Sequence, residues 1–428
     1  MSLLPKRHRA PMLGVIAASG ISLFGNSVAA VALPWLVLDM TGSAAWTGVA
    51  AAAGMLPLIL GSFLGGALID RFGARPVAVI ADLASAGSMA LIVWLADHQW
   101  IGLAILLALI ALGALFDGPG MTAQESRYPE LARLARMPLE RATALNKLVG
   151  SLANIVAPAA AGLGIALFGP ERTLLLTAGC SLLAAVLDRL SLPGRRLRCR
   201  SQDASRSVDV LAGARFLMGD PLLRSLLLLG SAVVGLLGAL DAVVMPVRIR
   251  EAGLVASSLG WFLAAAGSGA IVGALAFGRL GPRLWLRRIV LTCLSLEVMA
   301  FCLLTLTNDE GLRLLAGILA GLGSGPLNPL LTTVLLRRAP IAIRSRVLGA
   351  STAAALVATP LAVLLAGGAI DLTGSRPVLT AMALVAIVLL AAAAWLPGLR
   401  GLDNLTHVSA SDFPLSRSRD NADDTPNR

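Results

Sequence analysis

Twelve apolar runs, each close to or above the roughly 20 residues a helix needs to cross a hydrocarbon core, constrain this chain more than any other feature. They fall at 12–38, 45–69, 77–96, 101–123, 142–167, 172–192, 221–245, 257–277, 289–307, 311–334, 347–370 and 377–397. Lipid offers no partner to an open strand edge, so the runs are read as helices. Composition agrees: 57% of the 428 residues are hydrophobic and 14% charged, against about a quarter charged in soluble domains. A single water-soluble core also stops growing at about 250–300 residues. The expected fold is an all-α membrane protein with twelve transmembrane helices. Lys6, Arg7 and Arg9 precede the first run, and Ala30-Val31-Ala32 imitates a signal-peptidase site. The run from Met12 to Leu38 far exceeds the roughly 7–15 residues of a signal h-region, so it is read as an uncleaved first span.

Basic residues sort by loop. The N-terminal arm, the even-numbered gaps and the C-terminal tail hold 27 of the 35 Lys and Arg residues; the odd-numbered gaps hold five, Arg172, Arg248, Arg250, Arg313 and Arg376. By the positive-inside rule both termini are expected in the cytoplasm, with the spans in a bacterial inner membrane. The net charge of +11 is therefore a topological signal, and no nucleic-acid partner is expected. Cys180, Cys293 and Cys302 lie in apolar runs, and Cys199 lies in a basic loop; no Cys-x-x-Cys pair occurs. His8, His98 and His407 are far apart. Neither a disulfide framework nor a metal site is expected. The sequence lacks a G-x-x-x-x-G-K-[ST] loop for nucleotide drive, and it lacks a Ser-His-Asp pattern at membrane depth, so an enzyme is not expected.

The longest gap divides the spans six and six. The domains read as an N-terminal arm (1–11), a first six-helix bundle (12–192), a basic cytoplasmic linker (193–220), a second bundle (221–397) and a polar, disordered cytoplasmic tail (398–428). The halves repeat in register. Asp70-Arg71-Phe72-Gly73-Ala74-Arg75 answers to Gly278-Arg279-Leu280-Gly281-Pro282-Arg283 at an offset of 208, Gly118-Pro119 to Gly325-Pro326 at 207, and Arg141 to Arg346 at 205. Leu33-Pro34 likewise resembles Met245-Pro246.

Parallel six-helix halves joined by a linker are the arrangement of the major facilitator superfamily, and the residues resemble that family directly. Gly66-Ala67-Leu68-Ile69-Asp70-Arg71-Phe72-Gly73-Ala74-Arg75 resembles its signature loop, G-x-L-x-D-R-x-G-x-R. In that loop Gly66 is expected to let helices approach, Gly73 to permit a tight turn, and Asp70 to pair with Arg71, Arg75 or a neighbouring helix end. Finer resemblance is to the branch of macrolide efflux proteins and the enterobactin exporter. It is carried by Thr41-Gly42-Ser43, Asp82-Leu83, Leu259-Gly260-Trp261 through Gly273, and Arg344-Ser345-Arg346-Val347-Leu348-Gly349. Two departures from the superfamily's proton-coupled drug antiporters stand out. The run 101–123 read as span 4 contains no Arg, and Ala157-Pro158-Ala159-Ala160-Ala161-Gly162 replaces Gly-Pro-x-x-Gly-Gly in span 5.

A charge at membrane depth costs roughly 2.5–3.5 kcal/mol and needs a reason. Asp82, Lys147 and Asp117 lie toward the cytoplasmic ends of spans 3, 5 and 4; with Asp70, Arg71 and Arg75 they form a candidate inner cluster, either a gate or a static brace. Asp117, Asp241 and Glu297 are candidate proton carriers. Asp241 and Asp117 rank first because the resemblance puts spans 7 and 4 on the cavity, and Glu297 ranks behind because it puts span 9 at the periphery. Asn26, Asn154, Trp261, Phe262 and Asn328, with Trp35, are candidate cavity residues; Trp100 and Trp395 read as interfacial anchors. The leading expectation is a monomeric secondary transporter exporting a small amphipathic molecule, a drug-like compound or a siderophore, by alternating access. Its partners are that substrate and the bilayer. It needs no cofactor, only an ion gradient, with protons as the expected coupling ion. An uptake carrier, a lysolipid flippase or a non-transporting receptor or scaffold remain alternatives.

Overall fold

The computed structural model describes residues 9–192, 211–280, 285–306, 309–340 and 343–395. The N-terminal arm before residue 9, most of the linker and the whole tail, with its expected disorder, lie outside the described residues. Among those described, twelve helices are long and apolar enough to cross a membrane, and no strand is present. In order, spans 1 to 12 are Ala10–Thr41, Ala44–Phe72, Ala74–Asp97, Leu103–Leu134, Arg141–Phe168, Pro170–Ser191, Pro221–Glu251, Ser257–Arg279, Leu286–Leu306, Glu310–Arg338, Val347–Thr373 and Ser375–Trp395. Every expected span is present. Spans 1 and 7 outrun their apolar runs, to Thr41 and Glu251, because the charges that end the hydropathy signal, Asp39 and Arg250, meet each other at 3.4 Å. The described part of the linker contributes a short helix, Leu211–Gly219, before span 7.

Within each half the same neighbours recur: spans 2 with 4, 3 with 4, 3 with 6 and 1 with 5 are matched by spans 8 with 10, 9 with 10, 9 with 12 and 7 with 11. Hydrocarbon tails are as apolar as leucine, so small residues that let backbones touch hold such pairs together. A Cβ added at Gly61 would lie 2.1 Å from the Leu115 carbonyl oxygen of span 4. At its repeat equivalent, Gly269, it would lie 2.3 Å from the Ile318 oxygen of span 10. The same exercise corrects one expectation. A Cβ at Gly66 meets nothing within 4 Å, whereas at Gly65 it would lie 3.1 Å from Thr122. Helix approach is the work of Gly65, one residue earlier than the signature loop suggests.

Among the described residues, one apolar core is shared by the two halves, and it lies toward one end. We call the end where span 1 begins and span 12 finishes the terminal end, and the other the distal end. A single core joins both halves at the distal end, running through Val28–Leu38 of span 1, Leu240–Ile249 of span 7 and the distal parts of spans 2, 5, 8 and 11. Toward the terminal end the core splits in two. One part belongs to the first half, around Met12, Ala78 and Leu131. The other belongs to the second, around Leu223, Leu294 and Val334. At the distal seam a Cβ on Gly260 of span 8 would meet the Pro158 carbonyl oxygen of span 5 at 2.5 Å. One on Gly48 of span 2 would meet the Val363 oxygen of span 11 at 2.8 Å. The described chain is thus closed at its distal end and parted at its terminal end.

Forcing a branched side chain into such a contact costs about 1–3 kcal/mol. Gly61→Val and Gly269→Val are each expected to lower the thermal midpoint of the detergent-solubilised protein, while Gly66→Ala leaves it unchanged. Equal midpoints for all three variants would sink this account of the packing.

Candidate functional site

Two cavities of different chemistry lie on the terminal side of the closed seam. The first, about 190 Å³, sits in the first half among spans 1, 3, 4 and 5 and is polar. Asp82, Asp117 and Lys147 all line it, together with Asn26, Gln124 and Asn154. The inner cluster expected from sequence therefore divides. Asp82, Asp117 and Lys147 share a cavity, while Asp70, Arg71 and Arg75 stay at the span 2–span 3 turn. Asp70 is exposed and makes no hydrogen bond or ion pair among the described residues, so the pairing expected of it is not made in this state. Arg71 instead lies over the Phe72 ring, 5.3 Å from its centroid. Gly73 does turn the chain, at φ 91°, a conformation that a Cβ disfavours.

Inside the cavity the Ser22 hydroxyl donates to Asp82 Oδ1 at 3.2 Å; Asp82 Oδ2 is buried without a partner. Ser85 and Asn26 flank the Asp117 carboxyl group. Lys147 is exposed to the cavity and forms no ion pair among the described residues. The acids and the lysine thus face one space without pairing among the described residues. Behind this wall the Gln124 side-chain amide donates to Asp188 Oδ2 at 2.8 Å, and Asp188 is fully buried with Oδ1 unpartnered. Asp188 was not among the sequence candidates. It sits four residues inside the expected end of span 6 beside Arg189, and so read as part of a boundary; the depth count that found Asp82 would have found it too.

The second cavity, about 450 Å³, is apolar and lies in the second half among spans 7, 10 and 11, with Met55, Leu58 and Ile59 of span 2 closing one side. Asn328 lines this space, as do Ser351 and Thr359. The candidate asparagines thus separate, Asn26 and Asn154 to the polar cavity and Asn328 to the apolar one. The aromatic candidates line neither. Gly260 faces span 5, and successive helical residues turn by about 100°. Trp261 consequently points outward, 58% exposed, and Phe262 points into the core against Gly317 of span 10. Trp35 is buried in the distal core.

Asp241 and Glu297 belong to neither lining. Asp241 lies on a π-helical turn, Leu240–Val244, that touches spans 1, 2 and 11 at the seam. The wide turn has a local cause. Pro246 cannot donate a hydrogen bond and crowds the preceding turn, and the Met245 amide reaches back to the Leu240 carbonyl instead. Glu297 is 2% exposed, against Gly323 of span 10, with Oε1 unpartnered. It faces the interior of its bundle rather than lipid. Among the described residues no group of His, Cys, Asp and Glu could hold a metal ion.

Twelve spans in two matching halves around paired cavities describe a secondary-transporter architecture, and comparison with known proteins agrees. The family model described as Major Facilitator Superfamily matches residues 15–254 and 227–413. The chain belongs to the major facilitator superfamily. It is 34% identical over 401 residues to the multidrug efflux pump Tap of Mycolicibacterium fortuitum, covering 92% of this chain and 98% of that one. It is 30% identical over 287 residues to the enterobactin exporter EntS of Shigella boydii, covering 65% of each. Among solved structures, the nucleoside transporter NupG superposes with a TM-score of 0.73 at 14% identity, covering 90% of this chain and 98% of that one. That likeness is one of fold. Homologues and fold are those of transporters, not enzymes.

The Gln124–Asp188 bond yields a stability test. Gln124→Leu strands a buried carboxyl group, at a cost of about 1.5–3 kcal/mol for a hydrogen bond to a charged group, and is expected to lower the thermal midpoint. Adding Asp188→Leu removes the stranded group and is expected to recover much of the loss. Additive losses in the double variant would refute this pairing.

Proposed function

We propose that this protein exports small amphipathic, drug-like molecules from the cytoplasm across a bacterial inner membrane by alternating access. The carrying observation is the pair of cavities beneath a closed distal seam. A polar space with ionisable side chains lies in the first half and a larger apolar one in the second, both on the terminal side of that seam. An amphipathic solute fits that combination better than a sugar or an inorganic ion, because its apolar body can enter the second cavity while its polar groups meet the first. Full-length similarity to a multidrug efflux pump supports the same reading, and a siderophore is the variant suggested by the partial match to an enterobactin exporter. The distribution of basic residues supports a cytoplasmic terminal end, and with that orientation the described state is inward-facing. Deletion of the gene is expected to raise susceptibility to several unrelated amphipathic compounds, and the intact gene on a plasmid to restore resistance. Compound accumulation that rises with expression would make the protein an uptake carrier instead. A C-terminal reporter fusion active only in the periplasm would overturn the orientation.

We also propose that protons drive export through the carboxyl groups of the polar cavity. Asp117 and Asp82 line a space that water can enter, and neither forms an ion pair among the described residues. Asp241, on its π-turn at the seam, is the third candidate. Neither Asp241 nor Glu297 lines a cavity; Glu297 ranks last because it packs within its own half, against Gly323, whereas the Asp241 turn touches spans 1 and 2 of the other half. Efflux from energised vesicles is expected to stop when the pH gradient is collapsed, and Asp117→Asn to remove that dependence. Efflux that survives collapse of the gradient would exclude proton drive. Loss of coupling in Glu297→Gln alone would move the site to span 9.

A further inference from the structure

The distal seam carries a polar closure built from helix ends. Span 1 finishes in the turn Thr41-Gly42-Ser43, where Gly42 adopts φ 67°, and Ser43 caps the start of span 2. Across the seam, Asp371 in the last turn of span 11 reaches the same helix start. Its Oδ2 accepts from the Ser43 hydroxyl at 2.5 Å and from the Ala45 amide at 3.2 Å. Its Oδ1 accepts from the Ala44 amide at 2.8 Å. A carboxylate of one half thus satisfies otherwise orphaned N–H groups of a helix in the other, and its charge meets the positive end of that helix's dipole.

Other contacts extend this closure into a ring. Arg250 of span 7 donates to the Leu38 carbonyl oxygen in the last turn of span 1 and lies 3.4 Å from Asp39, placing a cation at the negative end of that helix. The turn after span 11 repeats the letters of the turn after span 1: Asp371-Leu372-Thr373-Gly374-Ser375 against Asp39-Met40-Thr41-Gly42-Ser43. Ser375 donates to Glu251, next to Arg250. The path therefore runs from span 1 to 2, across to 11, on to 12, to 7 and back to 1. It sits over the glycine contact between spans 2 and 11, where a Cβ on Gly367 would meet the Ala44 oxygen at 2.6 Å.

We propose that Asp371 is the outer-gate residue of the transport cycle: docked on the first turn of span 2 it holds the distal end shut, and opening of that end requires its release. The role rests on the alternating-access reading above. Asp371 is exposed at the protein surface, so water can replace its partners when it leaves. A helix cap of this kind biases a local equilibrium by roughly two- to thirty-fold, enough to favour closure and small enough to be reversed in each cycle.

The test uses the full chain with its four cysteines replaced, carrying one reporter thiol at a time, in detergent. Val363→Cys reports on the seam, since Val363 is fully buried with its carbonyl against Gly48. Ser151→Cys reports on the polar cavity, which Ser151 lines. Asp371→Ala is expected to raise maleimide labelling at Val363→Cys by about ten-fold and to slow it at Ser151→Cys. Asp371→Asn, which keeps one acceptor oxygen, should fall between, and it carries the test if the alanine variant does not elute as a single folded species. Unchanged labelling at Val363→Cys overturns the proposal. Faster labelling there with no slowing at Ser151→Cys also overturns it, because a frayed turn would explain that result. Labelling needs no substrate. Reciprocal shifts in a protein that exports nothing would refute the proposed function and leave the gate standing, and export with unshifted labelling would do the reverse.

Discussion

Backbone-to-backbone contact at small residues is the constraint from which the architecture follows. Between helices in lipid there is no hydrophobic drive to association, so close packing has to supply it. Inside each half this contact is dense: added Cβ atoms at Gly61, Gly269 and Gly321 would fall within 2.3 Å of a facing carbonyl oxygen. Between the halves the same device appears at Gly48, Gly260 and Gly367, in the distal parts of spans 2, 8 and 11. With the halves held there and divided into separate cores toward the terminal end, the spans diverge. The apolar cavity, lined by span 2 and by the second half, occupies that divergence.

The frame is nearly symmetric and its contents are not. Equivalent helix pairs recur in both halves, yet the cavity in the first half is lined by Asp82, Asp117 and Lys147, and the one in the second mostly by leucines with Asn328 and a few hydroxyls. Backbone packing tolerates little change at its glycines, because a single methyl group would collide. A cavity wall has no such restriction. Two copies of one bundle can therefore keep their helix contacts while one wall becomes polar and the other apolar, which suits a solute with two faces.

Closure and release make opposite demands, and the chain meets them with different forces. Glycine contacts at the seam are short-ranged and insensitive to charge, so they define where the halves can meet. The helix-end contacts of Asp371 and Arg250 lie at the exposed rim, where leaving a partner means regaining water. Deeper in the first half, Asp82 and Asp188 each keep one carboxyl oxygen unpartnered. Such groups are costly to bury and sit beside the polar cavity, where a change in hydration reaches them first.

From its sequence this protein is already a twelve-span, two-half membrane protein, because helix length and apolar content are local and the repeat is a matter of register. The same local count put Asp82, Asp117 and Lys147 at one depth, and they do share a cavity. Sequence could not say which way a residue points around its helix or which helix it meets. That is why Gly65 rather than Gly66 makes the close approach, and why Trp261 faces outward while Phe262 is buried. Charges at helix ends are the hardest to read. Asp39, Arg250 and Asp371 look like the polar edges of apolar runs, and only the meeting of spans 1, 2, 7 and 11 turns them into a closure. Depth along a helix is written in residue number; azimuth and partner depend on how the two halves pack, and the tertiary structure alone decides them.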